Sequence, residues 1–197
     1  MSNYPFPSII PNSTSWTPLT NTATFTSPLT MGIQTAVRQG GRWGVSMSFN
    51  NLIGPERSIL TSFIAKLNGQ QHRFAVGPFG ETYRGTGGGS PQVDGSGQSG
   101  FTLLTDGWPN NSNVMLAGDY FSINNGLKIC TLDTTSNGSG DATLTFWPEL
   151  HALPADNQSI EIDDPLSIFV LTTDPVIDTV PGLFSSIVIN GIQDVLA

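Results

Sequence analysis

Charge is scarce in this chain. Asp, Glu, Lys and Arg make up only 11 % of its 197 residues, against about a quarter in an ordinary globular domain. Basic residues are the rarer sign, with seven Lys and Arg in all and no basic run. A grip on nucleic acid needs such cations to displace phosphate counterions, so tight nucleic-acid binding is excluded. Cysteine is limited to Cys130, which excludes an internal disulfide framework. No apolar run reaches the roughly 18 residues of a membrane helix, so no membrane insertion is expected. The segment Met1-Ser2-Asn3-Tyr4-Pro5-Phe6-Pro7 lacks the basic start and apolar stretch of an export signal, and the expectation is a protein made without export machinery of its own.

What the chain does have is 22 glycines and 14 prolines, which interrupt helices too often for a bundle or coiled coil. Hydrophobic residues reach 38 %, enough for a packed core. The net charge of −8 is unevenly spread. Residues up to Cys130 hold seven basic and five acidic side chains, whereas all ten carboxylates from Thr131 onward stand without one Lys or Arg.

Residues 1–21, rich in Pro, Ser, Thr and Asn, read as an extended N-terminal arm. Gln39-Gly40-Gly41 reads as a turn within a hairpin from about Gly32 to Phe49. Its second half is the clearest strand in the chain, with Trp43, Val45, Met47 and Phe49 alternating against Arg42, Gly44, Ser46 and Ser48. A helix is predicted over residues 55–67: Pro55 suits its first position, and Leu60, Phe63, Ile64 and Leu67, with Ile59 beside them, form an apolar stripe ended by Asn68-Gly69. Residues 85–100 read as a flexible Gly-rich loop. Further strands are expected near 72–76, 101–104, 120–123, 127–133, 141–147, 159–162 and 166–172, the last apolar on both faces and therefore central in a sheet. The fold expected is mainly β, a barrel or sandwich over residues 22–173 with one packed helix. The apolar, Pro-interrupted segment 174–197 reads either as a last element of that domain or as a docking element for a neighbouring subunit, with Leu183, Phe184, Ile187 and Ile189 as interface candidates.

Candidate chemistry is thin. His72 and His151 have no His or Cys close in sequence, so neither suggests a metal site. Gly85-Thr86-Gly87-Gly88-Gly89-Ser90 lacks the Gly-Lys-Ser/Thr ending of a phosphate loop. Asp133–Gly138 only echoes a calcium loop, because Thr135 and Leu144 stand where oxygen ligands belong. Glu161, Asp163 and Asp164 form the densest carboxylate cluster, and Glu161 with Asp163 could in principle make a glycosidase-like pair. A solvated acidic edge is the simpler reading. No cofactor and no enzymatic activity are expected.

The order of motifs carries a resemblance. Gly41-Arg42-Trp43 leads into the alternating strand, followed by the helix closing on Leu67-Asn68-Gly69 and a strand with Arg73-Phe74. Then come Gly107-Trp108, Leu116-Ala117-Gly118-Asp119-Tyr120-Phe121-Ser122-Ile123, Gly140-Asp141-Ala142-Thr143-Leu144-Thr145-Phe146-Trp147-Pro148 and Phe169-Val170-Leu171. Over residues 30–172 this resembles the minor tail proteins of tailed bacteriophages, of the distal-tail or tail-hub type. The resemblance implies a tail-tube-like β-barrel with one flanking helix, assembled as a hexameric ring among tube, hub and fibre proteins. It also implies a place in the virion tail after assembly in the host cytoplasm, and a channel through which DNA passes without specific binding. Glu161, Asp163 and Asp164 are the candidates for acidic groups facing that channel, where they would repel phosphates. The competing expectation is a carbohydrate-binding β-sandwich with Trp108, Tyr120 or Trp147 stacked on a sugar.

Overall fold

In a computed structural model describing residues 2–195, the alternating stretch around Trp43–Phe49 becomes the spine of a seven-stranded sheet. The chain enters through β1 (Asn3–Pro5), then β2 (Ser13–Thr26), β3 (Ile33–Leu52), the helix α1 (Gly54–Leu67) and β4 (Arg73–Val76). It next builds a second unit from β5 (Gln92–Val93), β6 (Gly100–Asp106), β7 (Asn113–Met115), β8 (Tyr120–Ile123), β9 (Gly126–Cys130), β10 (Thr134–Thr135) and β11 (Ala142–Leu150). It returns to the first sheet through β12 (Ser167–Leu171), β13 (Ile177–Val180) and β14 (Phe184–Gln193). The large sheet runs β1-β4-β12-β14-β3-β2, with β13 flanking β14. The fold is mainly β with one helix.

Two cores follow from this order. The first lies under the large sheet, where Trp43, Val45, Met47 and Phe49 meet Leu60, Phe63 and Leu67 of α1, Phe74, Phe169, Ile187 and Ile189. The helix is anchored by three buried side chains at i, i+3 and i+7, as a period of 3.6 requires. Ile59, expected beside that stripe, is exposed. Burying those three side chains contributes roughly 1.5–3 kcal/mol each; a 14-residue helix is marginal without such packing. The second core lies in the inserted unit, among Val93, Leu103, Trp108, Val114, Met115, Phe121, Leu144 and Phe146.

Three expectations are corrected. Residues 2–21 do not form a separate extended arm: β1 pairs in parallel with β4, and β2 pairs with β3 from Ser13 onward. Its Ser and Thr side chains gave no apolar alternation because this edge strand is mostly exposed. Gln39-Gly40-Gly41 is not a chain reversal. β3 runs straight through it, and Gly40, at φ +114°, absorbs a bulge where Leu19 pairs with Arg42 but Asn21 with Arg38. The Gly-rich loop 85–100 contains β5 and is tied down, with Thr86 N donating to Asn113 O (2.7 Å) and Ser90 N to Gly107 O (3.0 Å). Of the two readings of segment 174–197, β13 and β14 are elements of the domain itself, with β14 between β12 and β3 inside the sheet. Leu196 and Ala197, the end of the expected docking element, lie outside the described residues.

Candidate functional site

Beyond the bulge at Gly40, β2 and β3 leave the sheet as a two-stranded ribbon. Six successive pairs, from Asn21↔Arg38 to Thr26↔Ile33, carry it out, a reach of roughly 20 Å at about 3.4 Å per residue. Its end is closed by Ser27 N donating to Gly32 O and Met31 N to Ser27 O, both at 2.9 Å. Among the described residues no third strand pairs with it. Phe25, Leu29, Met31, Ile33 and Val37 are 62–93 % exposed, and Arg38 is the only charged side chain between Asn21 and Arg38. An isolated two-stranded ribbon is marginal in water, and a long uncharged edge lacks the features that keep strands from pairing with other chains. The ribbon therefore has the make-up of an interaction element.

Its base is held by the inserted unit. Gly40 N donates to Glu149 Oε1 (2.5 Å), and His151 Nε2–H donates to Gly41 O (2.7 Å). Trp147 meets Trp43 edge-on with ring centroids 4.8 Å apart. Behind this latch, the buried Lys128 donates from Nζ to the Glu149 carbonyl (2.6 Å). Desolvation lowers the Lys128 pKa from 10.5 to about 7, against the opposing pull of the Glu149 carboxylate. His151 is also held below its ordinary value, first by burial and then by the Lys128 charge. A cavity of about 270 Å³, bordered by Asn124, Asn125, Lys128, His151 and Gln193, opens beside the latch. Gln193 ties β3 to β12 within the large sheet: its Oε1 accepts from Trp43 N (3.0 Å) and its Nε2 donates to Ser167 Oγ (2.9 Å).

The four interface candidates separate. Ile187 and Ile189 are core residues facing Phe49 and Met47 across the β14–β3 ladder, so they cannot meet a neighbour. Leu183 and Phe184, at the turn between β13 and β14, are 66 % and 39 % exposed and stay available. The carboxylate candidates share a short exposed turn in which Glu161 Oε1 accepts from Asp163 N (3.0 Å) and Asp164 N (3.2 Å). Glu161 is thus engaged with its own backbone.

Of the aromatics expected to meet a sugar, one is buried and two are half-buried. Trp108 is buried and its indole N–H donates to Thr105 Oγ1 (2.8 Å), while Tyr120 and Trp147 pack against Trp43. Asp119, buried, accepts from Arg84 Nε (2.7 Å) and Leu116 N (3.0 Å), a positioning role for the loop before β8. Asn137 Oδ1 accepts from Ser139 N and Asp141 N, as a hairpin turn would have it. His72 Nδ1 accepts from Ser2 N (3.2 Å).

Sequence reasoning found neither the ribbon nor its latch. The missed signal was the near-absence of charge on both sides of Ser27–Gly32, in a stretch rich in Thr, Ala and single apolar residues. No family model matches the chain, and no curated protein matches it significantly.

Proposed function

We propose that the chain is a structural subunit of a bacteriophage tail, an adaptor ring of the distal-tail type joining the tail tube to the tip or baseplate. It acts by fitting against further copies and against other tail proteins, and turns over no small molecule. The observation that carries this reading is the projecting ribbon. A chain working alone gains nothing from about a dozen paired residues with both faces in water, whereas a repeated subunit completes them with its neighbours. The order of motifs in the sequence supplies the tail, and the edge position and lack of charge of β2 agree with a strand meant for company. In a hexamer, six chains of net charge −8 would repel DNA phosphates, and the exposed Glu161, Asp163 and Asp164 are the candidates for the channel wall. The burial of Trp108 and the packing of the half-buried Tyr120 and Trp147 against Trp43 favour this reading over the sugar-binding one.

Light scattering of the purified chain over a range of concentrations, with electron images of the particles, tests the proposal. Closed rings support it. A monomer at every concentration, with no uptake into tail assemblies, overturns it.

A further inference from the structure

The two exposed apolar elements of the large sheet lie at opposite ends of it. β14 runs antiparallel to β3 from Ser185↔Leu52 to Ile192↔Gly44, a span of roughly 26 Å at about 3.3 Å per residue. The ribbon leaves beyond the Gly44 end, and the β13–β14 hairpin turns beyond the Leu52 end. Each carries one charge, of opposite sign. Arg38 is the ribbon's, and Asp178 is that of residues 177–188. No ion pair within the described residues uses either of them.

Their patterns also match. Directly paired residues share a face. One ribbon face therefore carries Asn21 and Arg38, then Ala23 and Ala36, then Phe25 and Gln34. The exposed hairpin face, opposite the buried Ile187, carries Asp178 and Ser186, then Val180 and Phe184. In both, the charge sits one step of two residues from a layer of contrasting size, small on the ribbon and large on the hairpin. Arg38 can face Asp178 while Phe184 and Val180 settle over the two alanines, and Phe25 runs on toward Pro181–Leu183.

Resting on the assembling-subunit reading above, we infer that the ribbon of one copy docks head-to-tail on the β13–β14 hairpin of the next, through Arg38, Ala23 and Ala36 against Asp178, Val180 and Phe184. Such a contact joins two different patches, and repeated around an axis it closes a ring. It gives Phe25 with its ribbon face, and Val180 and Phe184 of the hairpin, one occupant, a second copy of this chain.

Charge reversal on the full chain tests this. Arg38→Glu or Asp178→Arg alone should weaken self-association about tenfold or more, and the two together should bring it back to within about threefold of the original. All four positions used are exposed, so the variants keep the fold. Cross-linking supplies the second measurement, because Cys130 is buried and does not compete. A mixture of Ala36→Cys and Phe184→Cys chains should form a disulfide-linked dimer that neither forms alone. If the wild-type chain assembles but the reversals are not mutually rescued and the mixture gives no such dimer, this contact is wrong while the assembling reading stands. A wild-type chain that never assembles overturns both.

Discussion

Lys128→Met is the perturbation whose outcome the structure defines most closely. The wild-type chain buries the amine, donating to the Glu149 carbonyl, with its pKa brought from 10.5 to about 7. At about 1.4 kcal/mol per tenfold change in proton affinity, keeping an ammonium there costs on the order of 5 kcal/mol below pH 7. The sign follows from proton counting. Between pH 7 and 10.5 the unfolded chain holds a proton that the folded chain has released, so the lysine's contribution improves as pH rises, by up to about 1.4 kcal/mol per pH unit. Methionine has a similar length and no charge. It removes that penalty but leaves the Glu149 carbonyl without its donor, a loss of about 1–3 kcal/mol. The variant should be more stable than the wild type by about 2–4 kcal/mol at pH 6, and this advantage should shrink and then reverse toward pH 10. Urea denaturation of both proteins at pH 6, 8 and 10 reads the difference directly. Parallel pH profiles, or a variant weaker at pH 6, would show that Lys128 is not held as an expensive cation and would refute the argument.

Other expectations concern the latch and the core. Glu149→Ala removes the acceptor of Gly40 N, and should cost about 1–3 kcal/mol while speeding hydrogen exchange at Gly40 and along residues 21–38. Asp119→Ala leaves Leu116 N without its acceptor and the half-exposed Arg84 without its carboxylate, and a loss of about 1–3 kcal/mol should appear as a lowered Tm; an unchanged Tm would show the carboxylate to be idle. A Cβ placed on Gly191 would lie 2.8 Å from Phe74 Cζ, so Gly191→Ala should cost about 1–3 kcal/mol through displacement of a core ring, measured by the same urea titration.

Local periodicity was legible in the sequence in the helix and the strands that bury one face and pair near by or lie centrally. The helix showed itself through Leu60, Phe63 and Leu67, and β3 through Trp43, Val45, Met47 and Phe49. β12 declared its central place through Ile168, Phe169 and Val170, and it is indeed flanked by β4 and β14. Illegible were the elements without a buried face. Ser13–Thr26 carries too few apolar side chains to alternate, and the same stretch is what makes the ribbon. Ile187 and Ile189 do alternate with Ser186, Val188 and Asn190, but an uncharged segment after the last expected strand also has the composition of a docking surface. Pairing partners decide between those outcomes, and β14's lie far back in the chain. The latch is more distant still, with 109 residues separating Gly40 from Glu149. Gly40 and Gly41 look like a turn until the carboxylate and imidazole that hold them straight are placed beside them.

In the proposed assembly the ribbon is incomplete in a single chain and completed by a neighbour. Amide hydrogen exchange of residues 21–38, compared between dilute and concentrated protein, reads that state residue by residue. The account predicts fast exchange in dilute solution and at least about a hundredfold protection once the chains assemble, centred on Ala23, Phe25 and Ala36. Equal exchange at all concentrations, in particles that have nevertheless formed, would contradict it.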